Sequence, residues 1–205
     1  MIVIIDYGMG NLFSIQSAIH YLGTESIVSS DPNTISSADK LILPGVGSFN
    51  KAMNNLKTSN LVEIIKQSVN KKQIPILGIC LGMQLLGLSS TEDGLSDGFG
   101  FVDCPVERFY DKMCSNLKIP HVGFDVVSIT GKNRLFNGLG SAADFYFTHS
   151  YRMAFSSQLY AVGTCLHGET FIAAFEKDHI CGTQFHPEKS QTNGLLLLKN
   201  FIKDF

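Results

Sequence analysis

The first half of the chain alternates short apolar runs with longer amphipathic stretches. From Leu61 to Asn70, apolar residues recur at helical spacing with charged residues between them, which predicts an amphipathic helix. The pattern predicts strands at Ile2 to Asp6, Ile27 to Ser29, Lys40 to Leu43 and Ile76 to Ile79, and helices at Leu12 to Leu22, Phe49 to Asn55, Leu61 to Asn70 and Leu81 to Leu88. This alternation favours an α/β fold whose parallel sheet is covered on both faces.

After Gly100 the pattern changes to shorter strand-like pieces. They lie at Val106 to Phe109, Val122 to Val127, Phe145 to Tyr151, Tyr160 to Cys165, Phe171 to Glu176 and Ile180 to Gln184. Successive strands without helices between them favour antiparallel pairing. We therefore expect one domain over residues 1–205, with an open, mostly parallel central sheet, helices on both faces and a partly antiparallel extension.

Composition narrows the range of partners. The 205 residues are 44% hydrophobic, enough for a sizeable core, and the formal net charge is only −2. Lys and Arg are scattered, so no basic stripe favours nucleic acid or a membrane surface, and no apolar run approaches transmembrane length. We expect a soluble cytoplasmic protein whose ligands are small molecules and another protein.

Five cysteines, none of them in a Cys-x-x-Cys pair, are expected to be reduced thiols. Cys181 lies in a strand-like run and is interpreted as a small buried hydrophobic residue. His20, His167 and His179 lack the spacing to cysteines that a zinc site requires, and we assign them no role. The sequence predicts neither a metal nor a cofactor.

Cys80 occupies a different kind of position. Gly78 and Gly82 flank it at the junction between the strand that ends at Ile79 and the helix predicted from Leu81. This is the layout of a nucleophile elbow, and a helix N-terminus favours the thiolate form of a cysteine. The alternative is a buried core cysteine, which the two glycines make less favourable.

A histidine and a carboxylate lie about a hundred residues further along, in His186-Pro187-Glu188, directly before the last predicted helix. In an extended segment, residues two apart point to the same side, so Glu188 is expected to hold the His186 ring in one tautomer. A thiol, an imidazole and a carboxylate are the groups that acyl transfer through a thioester requires.

Two glycine-containing turns follow predicted strands. In the Pro44 to Gly47 turn, backbone N–H groups together with the amide of Leu81 could stabilise an oxyanion, the alternative being an ordinary strand-to-helix turn. The Tyr7 to Asn11 turn lacks both the third glycine of a dinucleotide fingerprint and a Walker lysine. Phosphate binding there is disfavoured, and Asn11 is interpreted as a helix cap or a partner contact.

Six motifs, in order along nearly the whole chain, resemble those of class I glutamine amidotransferases. They are Asp6 to Asn11, Pro44 to Gly47, Gly78 to Gln84, Pro120 to Gly123, Tyr146 to Tyr151 and His186 to Ser190. The motifs around Cys80 and His186 resemble the glutaminase centre of that family. The opening motif and the Pro-His-x-Gly segment resemble the branch that serves imidazole glycerol phosphate synthase in histidine biosynthesis.

The resemblance implies a role for each site residue. Cys80 would attack the side-chain amide of L-glutamine, His186 would shuttle protons, and Glu188 would orient the histidine. The oxyanion hole would comprise Val46, Gly47 and Leu81, after a rearrangement of the Pro44 to Gly47 turn that the partner's ligand triggers. Contacts to glutamine would come from Gly47, Gln84, Thr148, His149, Ser150 and Tyr151.

The resemblance also implies a heterodimer with a synthase or cyclase subunit, a HisF-like β/α barrel that uses the ammonia to make imidazole glycerol phosphate and AICAR. It places five residues at the interface: Asn11, His121, Phe124, Asp125 and Lys189. Phe124 and Asp125 stand where the family usually has Trp and Asn, which removes an indole N–H and adds a charge.

Three alternatives stay open. A paralogous glutaminase would supply an ATP-dependent sugar amidotransferase in surface polysaccharide biosynthesis. A stand-alone cysteine hydrolase would share Cys80 and His186 but would need no partner-facing motif. A non-catalytic regulatory module is disfavoured, because the chain keeps the thiol, the imidazole and the Glu188 carboxylate.

Overall fold

A nine-stranded sheet forms the centre of the protein in a computed structural model, which describes residues 1–109, 117–154 and 161–205. The strands are β1 (Ile2–Ile5), β2 (Ser26–Ser29), β3 (Lys40–Leu43), β4 (Ile76–Ile79), β5 (Ser89–Ser90), β6 (Ser96–Asp97), β7 (Val106–Arg108), β8 (His121–Ile129), β9 (Ala142–His149), β10 (Tyr151–Met153), β11 (Ala161–His167), β12 (Glu169–Lys177) and β13 (Ile180–Thr183). The central sheet has the order β2-β1-β3-β4-β13-β12-β11-β8-β9, and a second sheet has the order β10-β7-β5-β6.

Half of the central sheet is parallel. Strands β2, β1, β3, β4 and β13 pair in parallel, as the alternation of strands and helices predicts. Val3 and Ile5 of β1 join one core cluster, whereas Ile2 and Ile4 join the cluster on the opposite face. Both faces of these strands are therefore buried, which explains why they read as continuous apolar runs.

The helices lie on both faces, and the predicted α/β architecture is confirmed. They are α1 (Leu12–Tyr21), α2 (Pro32–Ser36), α3 (Phe49–Thr58), α4 (Leu61–Asn70), α5 (Leu81–Leu85) and α6 (Gln191–Asp204), with a 3-10 turn at Pro187–Lys189. Phe49 of α3 and Leu61 of α4 belong to the first core cluster. Ile15 of α1 and Phe201 of α6 belong to the second.

The antiparallel extension, β12-β11-β8-β9, accounts for as many strand pairings as the parallel half in the residues described. Four pairings separate β9 from β13, yet Tyr146 of β9 contacts the segment that follows β13. The carbonyl of Tyr146 accepts a hydrogen bond from the His186 N–H at 2.9 Å, and the Tyr146 N–H donates to Ser190 Oγ at 2.9 Å. The sheet therefore curls until the free edge of β9 reaches the end of β13.

The prediction of a single strand from Phe145 to Tyr151 is wrong. The segment forms two strands, β9 and β10, which belong to different sheets because β9 pairs with β8 and β10 pairs with β7. Ser150 lies between them, and its carbonyl accepts a hydrogen bond from Phe109 N–H at 3.1 Å. The chain thus changes sheets at the segment that the sequence assigns to glutamine binding.

Several boundaries also differ from the prediction. Helix α5 ends at Leu85 rather than Leu88, because the Gly87 carbonyl and the Leu88 N–H bond to Gly100 and Cys104 instead of continuing the helix. Helix α2 was not predicted, although Asp31 caps it and a proline opens it. The expectations for Cys114 and Tyr160 lie outside the described residues.

Two expectations about burial and length can be checked directly. Cys181 is fully buried, as predicted for a small core residue. Among the helices in the described ranges, none has both the length and the apolar character needed to cross a membrane.

Close packing of α5 against β3 generates a prediction about Gly82. A Cβ atom on Gly82 would lie 1.7 Å from the Leu43 carbonyl oxygen, whereas one on Gly140 would have 3.9 Å to its nearest neighbour, Ala142 O. Both positions keep negative or extended φ, so the comparison isolates the clash. We expect Gly82→Ala to lower the free energy of unfolding by about 2 kcal/mol or more and Gly140→Ala to leave it nearly unchanged, measured by urea denaturation. Equal stability of the two variants would contradict this packing.

Candidate active site

The backbone turns sharply at Cys80. This residue follows β4, precedes α5 and has φ 54° and ψ −111°, a backbone conformation that residues other than glycine rarely adopt. Its N–H donates to the Thr183 carbonyl at 2.7 Å, which continues the parallel pairing of β4 with β13. The predicted nucleophile elbow is therefore present in the backbone geometry, and Cys80 is buried at its corner.

Two glycines, Gly78 before the turn and Gly45 in the loop after β3, make this close packing possible. A Cβ atom on Gly78 would lie 2.7 Å from backbone atoms of Met83, and one on Gly45 would lie 2.5 Å from Tyr7 Oη and 2.9 Å from Leu81 Cβ. The close approach brings the turn after β3 against the first residue of α5. Val46 and Leu81 consequently lie on the wall of the same cavity as Cys80.

His186 and Glu188 are in contact, as predicted, but the backbone between them has a different conformation from the predicted one. Their segment forms a 3-10 turn over Pro187–Lys189 rather than an extended strand, because Pro187 at its first position favours a helical start. His186 Nδ1 lies 2.8 Å from Glu188 Oε1, and both side chains are almost completely buried. A carboxylate can only accept at this distance, so Nδ1 carries the proton.

The other ring nitrogen, Nε2, is buried and makes no hydrogen bond of normal geometry to the described residues. Burial by itself lowers the pKa of His186, but the interactions with the side chains of Cys80 and Glu188 outweigh it and raise the pKa to about 10. The geometry therefore favours a protonated imidazole beside a cysteine. A thiolate beside an imidazolium is the reactive state of a cysteine nucleophile.

A cavity of about 420 Å³ opens beside Cys80. Every residue that the sequence proposes for the oxyanion hole or for glutamine lines it: Val46, Gly47, Leu81, Gln84, Thr148, His149, Ser150 and Tyr151. Gly47 has φ +107°, a conformation that favours glycine, and a Cβ there would lie 2.8 Å from Met9 Cε. The curl of the sheet is what brings the Thr148 to Tyr151 segment opposite the elbow.

The sequence did not identify Gln184, which lies next to the nucleophile. Its side chain is fully buried, and its Nε2 approaches Cys80 Sγ at 3.8 Å. Gln84 Nε2 donates to Gln184 Oε1 at 3.0 Å and to the Tyr151 carbonyl at 2.8 Å. The two-residue spacing from His186 was the available signal, because it places both residues on one side of an extended chain.

The sequence also did not identify two residues near the site, Glu92 and Tyr7. Glu92 lines the cavity, and its Oε2 accepts a hydrogen bond from the N–H of Phe49, the first residue of α3, at 2.9 Å; burial raises its pKa. Tyr7 donates its hydroxyl to the Pro44 carbonyl at 2.7 Å, and burial, followed by the nearby Cys80, holds its pKa well above the usual value. Tyr7 thereby fixes the turn that carries Val46.

His149 is oriented by the neighbouring carbonyl. Its Nδ1 lies 2.8 Å from the Tyr151 carbonyl oxygen, and its Nε2 lies 3.1 Å from Nδ1 of His121. Burial, opposed by the Tyr151 carbonyl and assisted by three nearby histidines, lowers the pKa of His149 to about 3. His149 is therefore neutral, donates from Nδ1 and accepts at Nε2.

The residues predicted to face a partner differ in accessibility. Asn11 accepts a hydrogen bond from Ser14 N–H at 3.4 Å, which confirms the helix-cap interpretation. Phe124 and Lys189 are exposed beside Tyr146, with Lys189 Nζ 5.7 Å from the tyrosine ring centroid. His121 is buried beneath this surface, so its side chain is not presented to solvent.

Phe124 belongs to an exposed apolar row on β8. Val122, Phe124 and Val126 alternate with inward-facing residues, and each is about half exposed. We call these three residues the β8 apolar row. A row of adjacent exposed apolar side chains on one face of a sheet is typical of a protein-binding surface.

Comparisons with known proteins agree with this geometry. The sequence matches the family described as Glutamine amidotransferase class-I over residues 3–205. It is 45% identical to imidazole glycerol phosphate synthase subunit HisH 2 of Methanococcus maripaludis over 99% of both chains. It is 43% identical to subunit HisH 1 of Campylobacter jejuni, over 99% of this chain and 100% of the relative.

Solved structures show the same fold at low sequence identity. A structure titled glutamine amidotransferase superposes with a TM-score of 0.74 at 16% identity, covering 97% of this chain and 98% of the other. PurLQS from Thermotoga maritima gives a TM-score of 0.74 at 16% identity, covering 99% of this chain and 97% of that one. On the family match and the full-length relatives, the chain belongs to the class I glutamine amidotransferases and, within them, to the family of imidazole glycerol phosphate synthase HisH subunits.

Proposed function

We propose that this chain is the glutaminase subunit of an imidazole glycerol phosphate synthase and hydrolyses L-glutamine at Cys80, His186 and Glu188. The single observation that carries the proposal is the buried His186–Glu188 pair beside an elbow cysteine whose cavity is lined by the predicted glutamine contacts. The full-length relatives that bear the HisH name support the same assignment.

In the first half-reaction, the Cys80 thiolate attacks the side-chain carbonyl carbon of glutamine. The tetrahedral intermediate collapses to a thioester as the C–N bond breaks, and protonated His186 gives its Nε2 proton to the departing nitrogen, which leaves as ammonia. Glu188 accepts from Nδ1 throughout, so the imidazole keeps the orientation in which Nε2 faces the reacting atoms.

In the second half-reaction, water adds to the thioester. Neutral His186 takes one proton from the water, and the C–S bond breaks to release the Cys80 thiolate beside the imidazolium. The new carboxyl group loses its remaining proton to solvent, which leaves glutamate. The N–H of Leu81, the first residue of α5, has no carbonyl partner within its own helix and is a candidate donor to the oxyanion. The amide of the Val46 to Gly47 turn is the second candidate.

The charge of the cavity suits the amino-acid end of glutamine. Glu92 places a carboxylate in a wall otherwise built from backbone and neutral side chains, and it would attract the substrate ammonium group. The Ser150 and Tyr151 backbone lies on the same wall and offers hydrogen-bonding groups to the α-carboxylate and ammonium.

Ammonia needs a second site that is protected from water. Near neutral pH free ammonia is mostly protonated and then has no lone pair for attack, so a partner should dock close to the cavity. We propose that a HisF-like β/α-barrel subunit covers the β8 apolar row and Lys189, and uses the ammonia to form imidazole glycerol phosphate and AICAR. The exposed apolar side chains next to a cation support this surface as the docking face.

Because Phe124 and Asp125 depart from the motif of the histidine-pathway branch, a second partner, an ATP-dependent sugar amidotransferase, is also tested. The test is glutamate release by the chain alone, with a HisF-like barrel and its ribonucleotide ligand, and with a sugar-amidating enzyme. Strong stimulation by the barrel supports the histidine-pathway function. Stimulation only by the sugar enzyme would replace the partner, and full activity without either protein would favour a stand-alone hydrolase.

Cys80→Ala should separate the two activities of the complex. Because only the thioester step needs the sulfur, glutamine-dependent synthesis should fall by about 10³-fold or more while synthesis from added ammonium salts persists. Cys104→Ser, which changes a buried cysteine outside the cavity, serves as the control. Loss of both activities in Cys80→Ala, with the complex intact by gel filtration, would contradict this division of labour.

Glu188→Gln should change both catalysis and the charge of His186. The raised pKa of His186 means that its charged contacts stabilise the fold fully below about pH 6.5, and that this contribution is lost as the pH rises through about 10. In Glu188→Gln we expect a lower His186 pKa by NMR titration, glutaminase activity reduced about 10²-fold or more, and a loss of stability that is larger near pH 6 than near pH 10. Glu63→Gln, an exposed carboxylate on α4, should change none of these quantities.

Lys189→Ala should weaken the partner's stimulation of glutaminase activity. An exposed ion pair is worth about 1 kcal/mol, so we expect roughly a fivefold loss in partner affinity or in stimulated turnover. Lys71→Ala, an exposed lysine at the end of α4, provides the matched charge control. Unchanged affinity and stimulation in Lys189→Ala would exclude Lys189 from the interface.

A further inference from the structure

Three side chains of types that commonly bind metals converge on the inner side of the antiparallel extension. His121 and Asp125 come from β8, and Cys165 comes from the neighbouring strand β11. Their donor atoms all lie within 4.8 Å of one another, and His121 Nε2 is 3.3 Å from Asp125 Oδ2. Cys165 and His121 are buried, whereas the Asp125 side chain is 39% exposed and gives access from solvent.

The hydrogen bonds of His149 determine the tautomer of His121. The Tyr151 carbonyl can only accept, so His149 donates to it from Nδ1, and neutral His149 must accept at Nε2. His121 Nδ1, 3.1 Å from that nitrogen, is then the donor. In neutral His121 the proton is therefore on Nδ1, and Nε2 presents a lone pair.

This lone pair faces a carboxylate oxygen. His121 Nε2 and Asp125 Oδ2 are both acceptors at 3.3 Å, a contact that repels unless a positive group lies between them. The Cys165 sulfur belongs to the same group of donor atoms and carries no positive charge that would relieve this contact. Either an additional proton or a cation is required to make the arrangement favourable.

We propose that His121 Nε2, Asp125 and Cys165 Sγ form a site for a divalent metal ion of the zinc class, with a fourth position open to water. Imidazole, carboxylate and thiolate are all zinc ligands, and three protein ligands with one open position is a known coordination pattern. On binding, the metal takes the place of the thiol hydrogen, which leaves to solvent, and the dication balances the two negative ligands.

The surroundings have the features that a metal-bound histidine requires. His121 donates its Nδ1–H to His149, which is itself held by the Tyr151 carbonyl. This hydrogen bond, on the side of the ring opposite the metal, fixes the orientation of the ligand. His167 stacks on the His121 ring with centroids 4.1 Å apart and is held by the Lys118 carbonyl, 2.9 Å from its Nε2. The ring is therefore preorganised before any metal arrives.

Asp125 is the residue that creates the site. An Asn amide at this position would donate N–H to His121 Nε2 and satisfy it without a metal. The Asp125 carboxylate has no such hydrogen to donate and instead brings a negatively charged oxygen ligand to the site. This proposal revises the expectation from sequence, which found no metal spacing because the three residues come from two strands separated by 40 residues.

The test uses the full chain with Cys80→Ser, because the Cys80 and His186 pair could itself bind zinc. After treatment with a chelator, the protein is titrated with Co²⁺ and followed by its thiolate-to-cobalt absorption, then with Zn²⁺ by calorimetry. We expect one ion per chain, a higher melting temperature with zinc, and at least a tenfold loss of affinity in Cys165→Ala or Asp125→Asn.

The variants also separate a metal site from a merely structural cluster. Without metal, Asp125→Asn should be at least as stable as the Cys80→Ser parent because its amide satisfies His121, and Cys104→Ser should bind metal normally. Circular dichroism confirms folding of each variant. Absence of the thiolate band in the Cys80→Ser protein, or its persistence in Cys165→Ala, would overturn the proposal.

Discussion

The active-site geometry depends on the backbone conformation of Cys80. A side-chain-bearing residue at φ 54° and ψ −111° costs about 1–3 kcal/mol, so the surroundings must hold it there. The hydrogen bond from Cys80 N–H to Thr183 and the close contact of Gly82 with Leu43 supply that restraint. The same contacts bring the ends of β3, β4 and β13 to one edge of the sheet, where parallel α/β folds bind ligands.

The curled antiparallel half completes the site. An open parallel sheet would leave the end of β13 far from β9, but the curl returns the free edge of β9 to the His186 segment. Backbone groups of Tyr146 that would be unpaired at an edge strand hold the turn that contains His186, and the residues that follow β9 line the cavity. The edge is therefore protected from other strands and is part of the site.

A connected set of polar groups runs from the cavity toward the proposed partner surface. The Tyr151 carbonyl, His149, His121 and Asp125 are in sequential contact, and the exposed β8 apolar row alternates with the last two along the same strand. A metal at His121 would fix one end of this set, while a partner on β8 would contact the other side of the strand. The proposed metal site and the proposed docking face would thus use opposite sides of β8, and the hydrogen bonds through β9 would connect them to the cavity.

The sequence by itself determined the α/β alternation, the sharp turn at Cys80, the contact between His186 and Glu188, and the family, because these depend on local periodicity and on residue types at short spacing. It did not determine the break at Ser150, the contacts of Gln184 and Glu92 with the cavity, or the convergence of His121, Asp125 and Cys165. Those features depend on strand order and on the curl of the sheet, which bring together residues distant in the chain. Only the tertiary structure decided which distant polar groups became neighbours, because burial requires each of them to find a partner wherever the fold places one.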